Sequence, residues 1–99
     1  MFAAVYAPGN IELLLACAEH FSPLVEETSK DGIAFDIRGL KLIYGAPAHI
    51  AAEIQRRIAI PANVALAANL DAAIHAARGL PGITILEPGR EGVALGPLP

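Results

Sequence analysis

Four carboxylates crowd one stretch of the chain. Glu26, Glu27, Asp31 and Asp36 all lie within Phe21–Tyr44, which reads FSPLVEETSKDGIAFDIRGLKLIY. Carboxylates brought within a few ångströms of one another can hold Mg²⁺ ions, and such ions can bridge an attacking oxygen and a triphosphate. Asp31 is the candidate ligand, because the Asp31-Gly32 pair falls between two extended segments. The same pair is also a turn former, since glycine accepts a positive φ at low cost. Other chemistry-bearing residues are scattered. His20, His49 and His75 lie far apart with no thiol or carboxylate in ligand spacing, so helix-surface or capping roles are the simpler reading. Ser22 and Ser29 have no histidine placed for a nucleophilic triad. Gly39, Gly45, Gly79 and Gly82 belong to no phosphate-binding loop pattern. Arg56-Arg57 reads as solvated helix surface, with Glu53 three and four residues earlier for weak ion-pair support.

Composition narrows the classes. The 99 residues suffice for one small domain spanning 1–99. Hydrophobic residues make up 55% and charged residues 17%, which excludes a disordered chain. Alanine is the commonest residue, so helices are cheap but the core is thin, and a thin core favours a partner covering part of the surface. The formal charge of -3 and the absence of a basic stripe argue against strong DNA contact. The lone Cys17, set among Leu15, Ala16 and Ala18, reads as a buried structural thiol and fits a cytoplasmic protein. The start lacks a basic region and Pro8-Gly9 interrupts its apolar run, so no secretory leader is expected. No apolar run is long enough to span a bilayer, so no membrane role is expected.

The elements that must position these residues follow from pattern. Phe2–Tyr6 is an apolar run without polar alternation, as expected of a central strand buried on both faces. Asn10 is a candidate N-cap for a helix over Ile11–His20, whose Ile11, Leu14, Leu15 and Ala18 share a face. Leu24–Ser29 carries adjacent glutamates and should be an edge strand. In Ile33–Ile37, apolar Ile33, Phe35 and Ile37 alternate with Ala34 and Asp36, which gives an interior strand. Leu40–Tyr44 reads as a helical turn closing the end of the sheet. Pro47 opens a helix with Ile50, Ala51, Ile54 and Ile58 as its buried stripe. Asn63–Ala68 is a strand. Asn69 caps a helix over Leu70–Arg78, where Ala73, Ala76 and Ala77 permit close backbone approach. Ile83–Leu86 is a short strand, and 92–99 alternates weakly. The first six major elements give an α+β, ferredoxin-like βαββαβ sandwich of the palm type, followed by a C-terminal helix and a short strand. Two helices should cover one sheet face and leave the other open or shared with a partner.

The hairpin stretch then resembles a particular family. FSPLVEETSKDGIAFDIRGLKLIYG is similar to the palm segment of Y-family translesion DNA polymerases, in which Ser-Pro-x-Val-Glu leads into a Ser-x-Asp-Glu tip and a strand ending in Asp before Gly. Ser22-Pro23, Val25-Glu26, Ser29, Asp31, Asp36 and Gly39 carry the match. Downstream, ANLDAAIHAARGLPGITILEPGREGVALGPLP resembles the divergent, non-catalytic ImuB-like branch, with Leu95, Pro97, Leu98 and Pro99 at a Leu-x-Pro-Leu-Pro-like boundary. The departures from the active pattern are specific. Tyr6 stands where active members carry an aspartate on the first strand. Gly32 replaces the acidic residue after the hairpin aspartate. Leu70 stands where a lysine is expected at the start of the later helix. Asp31 alone remains of the metal-binding set. Fingers, thumb and little-finger segments are not expected in this chain.

The resemblance therefore implies a palm-like domain without catalysis or cofactor. ImuB-like proteins act as adaptors in damage-induced, SOS-type mutagenesis, so the implied partner is a protein, with a homodimer through the open sheet face as one form. The alternative is a nucleotide- or DNA-binding domain that completes an Mg²⁺ site with a partner's carboxylates. A generic ferredoxin-like interaction domain is the third reading.

Overall fold

The computed structural model describes residues 1–22 and 24–86. Pro23 and the segment 87–99, with its expected weak strand and its Leu95, Pro97, Leu98 and Pro99 boundary, lie outside the described residues. The elements run β1 (Phe2–Tyr6), α1 (Ile11–Ala18), β2 (Val25–Ser29), β3 (Gly32–Asp36), α2 (Lys41–Tyr44), α3 (Pro47–Ile58), β4 (Asn63–Ala67), α4 (Leu70–Gly79) and β5 (Ile83–Ile85). They form one five-stranded sheet in the order β2-β3-β1-β4-β5. β1 pairs antiparallel with β3 and β4, β2 pairs antiparallel with β3, and β4 pairs parallel with β5. The first four strands have the ferredoxin-like arrangement, and α4 supplies the crossover that a parallel β5 requires. The apolar β1 is central and the glutamate-bearing β2 is an edge, as their residues dictate.

The two sheet faces are packed by different chemistry. Alternate residues of a strand point to opposite faces. Val5, Ile33, Phe35, Val64 and Leu66 therefore form one side, and they pack with Leu14, Ile50, Ile54 and Ile58 from α1 and α3. The other side offers Ala4, Ala34, Ala65 and Ala67, and onto it the alanine face of α4 descends through Ala72, Ala73, Ala76 and Ala77. Without side chains beyond Cβ, helix and sheet come close. The face expected to be open is thus covered over β1 and β4, because the alanines that permit close approach also commit α4 to that face. Only its β2–β3 margin is left.

Local endings refine the expected boundaries. α1 stops at Ala18, so His20 lies beyond the helix. Asn10 makes no side-chain cap; its amide donates to the Pro8 carbonyl at 3.0 Å. Asn69 does cap α4, accepting from the Ala72 N–H at 3.1 Å. Leu40 is buried and Tyr44 packs at a tilt against the Phe21 ring, but Leu42 and Ile43 of α2 are exposed, so this turn does not close the sheet as a whole. α3 ends on Ala59 at φ 59°, ψ 18°, a left-handed cap made by a residue with a Cβ. Glycine is free of that strain, and Ala59→Gly should raise stability by roughly 0.5–1 kcal/mol, read as an increase in urea midpoint without a change in slope.

Candidate functional site

The β2–β3 tip meets the end of β1. Register places Tyr6 of β1 directly opposite Gly32 of β3 on one side and Asn63 of β4 on the other. Asp31 immediately precedes Gly32, and its carbonyl accepts the Ala7 N–H at 3.0 Å. Its carboxylate Oδ1 accepts the Gly9 N–H at 2.9 Å. The Asp31 N–H donates to Ser29 Oγ at 3.3 Å. Asp31 therefore ties the hairpin tip to the turn at Pro8-Gly9, where Gly9 takes a φ of +77° that a larger residue would resist. Asp31→Ala leaves the Gly9 N–H without this acceptor and should cost about 0.5–1.5 kcal/mol in chemical denaturation, with Asp31→Asn retaining most of it.

The turn itself differs from the expected Asp31-Gly32 hairpin. Ser29 pairs with Gly32, so Lys30 and Asp31 form the loop and Gly32 is the first residue of β3. Neither Lys30 nor Asp31 nor Gly32 has a positive φ. The mirror-image turns favoured in tight hairpins are therefore not used. A register shift between Glu27 and Ser29 leaves Thr28 as an extra residue, a bulge that adjusts the twist into the turn. The space beside Gly32 is crowded by side-chain hydroxyls. A Cβ there would stand 2.8 Å from Thr28 Oγ1, 3.3 Å from Ser29 Oγ and 3.4 Å from the Val5 carbonyl oxygen.

The four positions singled out by sequence do not form one cluster. Tyr6, Asp31 and Gly32 come together at one end of the sheet. Leu70 opens α4 just after Ala67, and Ala67 pairs with Phe2 at the other end. Phe2 to Tyr6 is four residues of strand, roughly 13 Å. Asp36 is at the Phe2 end, opposite Phe2 itself, and Glu26 lies at mid-sheet, opposite Ala34, which pairs with Ala4. Among the described residues no group of three or more His, Cys, Asp or Glu side chains could hold a metal ion. His20, His49 and His75 are exposed and separate.

The remaining candidates have structural work. Cys17 is buried with its Sγ 3.8 Å from the Ile54 carbonyl oxygen, and burial raises its pKa against the lowering effect of Arg57. Glu53 pairs with Arg56 and with Arg57, the latter at 3.0 Å. These bonds, Arg56's foremost, hold the Glu53 carboxyl below its ordinary range. Arg57 also lies over the Phe21 ring, 5.6 Å from its centroid, so it is more than solvated surface. Asn63, which the sequence marked only as a strand residue, donates to the Ala77 carbonyl at 3.0 Å and accepts from the Gly82 N–H at 3.3 Å. It joins the end of α4 to the turn before β5.

Asp36 is engaged at the Phe2 end. Its Oδ1 accepts the Arg38 N–H and its Oδ2 the Arg38 Nε, each at 2.8 Å. The backbone bond is the main cause of a pKa below the ordinary aspartate value. A folded pKa below the unfolded one adds stability that is present above the unfolded value and lost as pH falls through the folded value. Asp36→Asn should therefore flatten the acid side of the stability profile below about pH 4, measured as urea midpoints across that range.

Fold and site together define a ferredoxin-like α+β domain, extended by a helix and a parallel strand, with a single carboxylate among the described residues at its β1–β3 junction. Over 92 residues the chain is 33% identical to Protein ImuB from Caulobacter vibrioides strain NA1000 / CB15N, and to Protein ImuB from strain ATCC 19089 / CIP 103742 / CB 15 of the same bacterium to the same degree. Each alignment covers 90% of this chain and 20% of the relative, so the chain spans about a fifth of the length of the curated relatives it matches. No family model matches the chain. No solved structure matches it either. Among the described residues, no helix is long and apolar enough to cross a membrane.

Proposed function

We propose that this chain is a catalytically inactive, palm-like protein-interaction module related to the DNA-repair polymerases of the Y family. The observation that carries the proposal is the β1–β3 junction, where Tyr6 faces Gly32 and the Asp31 carboxylate accepts the Gly9 N–H. Two-metal phosphoryl transfer needs carboxylates converging on a pair of ions, and among the described residues this junction supplies one. The likeness to Protein ImuB and the ferredoxin-like order of β1–β4 support the relationship. The net charge of -3 supports a protein partner over direct DNA contact, because long-range steering of a polyanion is unfavourable at that sign.

A titration of deoxynucleoside triphosphate with and without Mg²⁺ tests this. The expected result is no saturable, Mg²⁺-dependent binding by the chain. Saturable binding that requires Mg²⁺ and disappears in Asp31→Ala would overturn the proposal in favour of a residual nucleotide site.

A further inference from the structure

α4 leaves part of its sheet face uncovered. Between the start of α4 and the β2 edge, at the Phe2 end, lies a groove of 430 Å³. Phe2, Leu24, Ala34 and Leu70 line it with apolar surface, and Glu26 and Asp36 add carboxylates. Leu24 is 80% exposed although it stands at the head of a strand. β2 is the sheet edge and pairs only with β3, so one side of its backbone lacks a strand partner among the described residues. Asp36 is occupied by Arg38. Glu26 and Glu27 are exposed and enter no ion pair among the described residues.

From these observations we infer that the β2 edge and the adjoining groove form one docking surface for an extended segment of a different protein, added as a strand beside β2. The order Leu24-Val25-Glu26-Glu27 specifies the occupant. Cross-strand neighbours share a face and interact directly. Two apolar residues of the added strand lie opposite Leu24 and Val25, and two basic residues lie opposite Glu26 and Glu27. Residues two apart share a face. An apolar side chain beside Leu24 therefore enters the groove while a basic one beside Glu26 meets its carboxylate. In the antiparallel sense this is a Lys-Arg-Val-Leu type of segment. Backbone bonds to the edge give affinity, and the charge order gives register. A second copy of this chain is a poor occupant. Antiparallel self-pairing over Leu24–Glu27 sets glutamate against glutamate or against an apolar residue, both unfavourable, and registers displaced toward Lys30 leave Leu24 with no residue of the partner's β2 opposite it.

This inference rests on the reading of the chain as a protein-binding module, and the two can fail separately. The full chain, ¹⁵N-labelled, is titrated with a capped Thr-Lys-Arg-Val-Leu-Thr peptide and with its Thr-Glu-Glu-Val-Leu-Thr counterpart. The basic peptide should give saturable shifts confined to Leu24–Ser29, Phe2 and Leu70, with the acidic one about tenfold weaker. Glu26→Lys should reduce that preference, and Leu24→Asp should abolish binding; both sites are exposed, and an unchanged amide spectrum elsewhere verifies the fold. No saturable response, equal response to both peptides, or shifts elsewhere on the chain would overturn the inference. A dimer in solution that Leu24→Asp converts to monomer would overturn it too, by giving the surface to a second copy. Failure of the non-catalytic reading shows itself elsewhere, as Mg²⁺-dependent nucleotide shifts at Tyr6 and Asp31 at the other end of the sheet.

Discussion

Ile54→Ala is expected to lower the unfolding free energy by about 2–5 kcal/mol, among the largest losses a single substitution can produce here. Ile54 is in the middle of α3 and 1% exposed, packed in the cluster that joins α1, α3 and the sheet. Its removal deletes the transfer free energy of the lost methyl groups and leaves a cavity. Close-packed neighbours such as Leu14 and Ile50 relax into such a space only in part. Small domains have stabilities of roughly 5–15 kcal/mol, so the loss takes a large share of the whole. A fall in the thermal or urea midpoint measures it. A change below about 0.5 kcal/mol would mean that α3 is not docked as described.

Ala73→Leu should damage the fold by the opposite route. Ala73 is fully buried where α4 lies on the alanine face of the sheet, in one cluster with Ala4 and Ala65. A leucine there adds three carbons to an interface built from Cβ atoms. Overpacking of this kind costs typically about 1–3 kcal/mol, and more where backbone stands on both sides. α4 must shift away from the sheet or detach. The measurable results are a lower unfolding midpoint and faster hydrogen exchange in Leu70–Gly79, while α1 and α3 keep their protection. Ala73→Ser, close in size, should be far milder. The two substitutions together test the asymmetry of the molecule: one sheet face needs bulk and the other cannot accept it.

Much of this architecture was readable because local chemistry and the global fold agree. The apolar β1 had to be central, Glu26 and Glu27 had to sit on an edge, and Pro47 and Asn69 marked helix starts that the structure has. The docking of α4 was not assigned. Its alanines signalled close approach, but sequence spacing does not say which sheet face an added helix takes. The other face is filled by the large side chains of α1 and α3, so only the alanine face remained. The hairpin turn was misplaced by one residue because Asp-Gly suggests a positive φ, whereas Gly32 has none and is already the first residue of β3. The site was partly legible: Tyr6, Asp31 and Gly32 do meet. Leu70 does not join them, because a family correspondence places residues in order along the chain and the β4 register places this one at the far end. The groove was missed. Phe2, Leu24 and Leu70 are distant in sequence, and only the partial cover by α4 makes them neighbours.

A non-catalytic domain holds no divalent ion between the end of β1 and the hairpin tip. Mn²⁺ is a paramagnetic stand-in for Mg²⁺ at carboxylate sites. Added to the ¹⁵N-labelled chain, it broadens amides close to where it resides. The prediction is no saturable broadening centred on Ala7–Gly9 and Asp31–Gly32, and no difference there between the native chain and Asp31→Ala. Selective, saturable broadening of those amides that disappears with Asp31→Ala would contradict it.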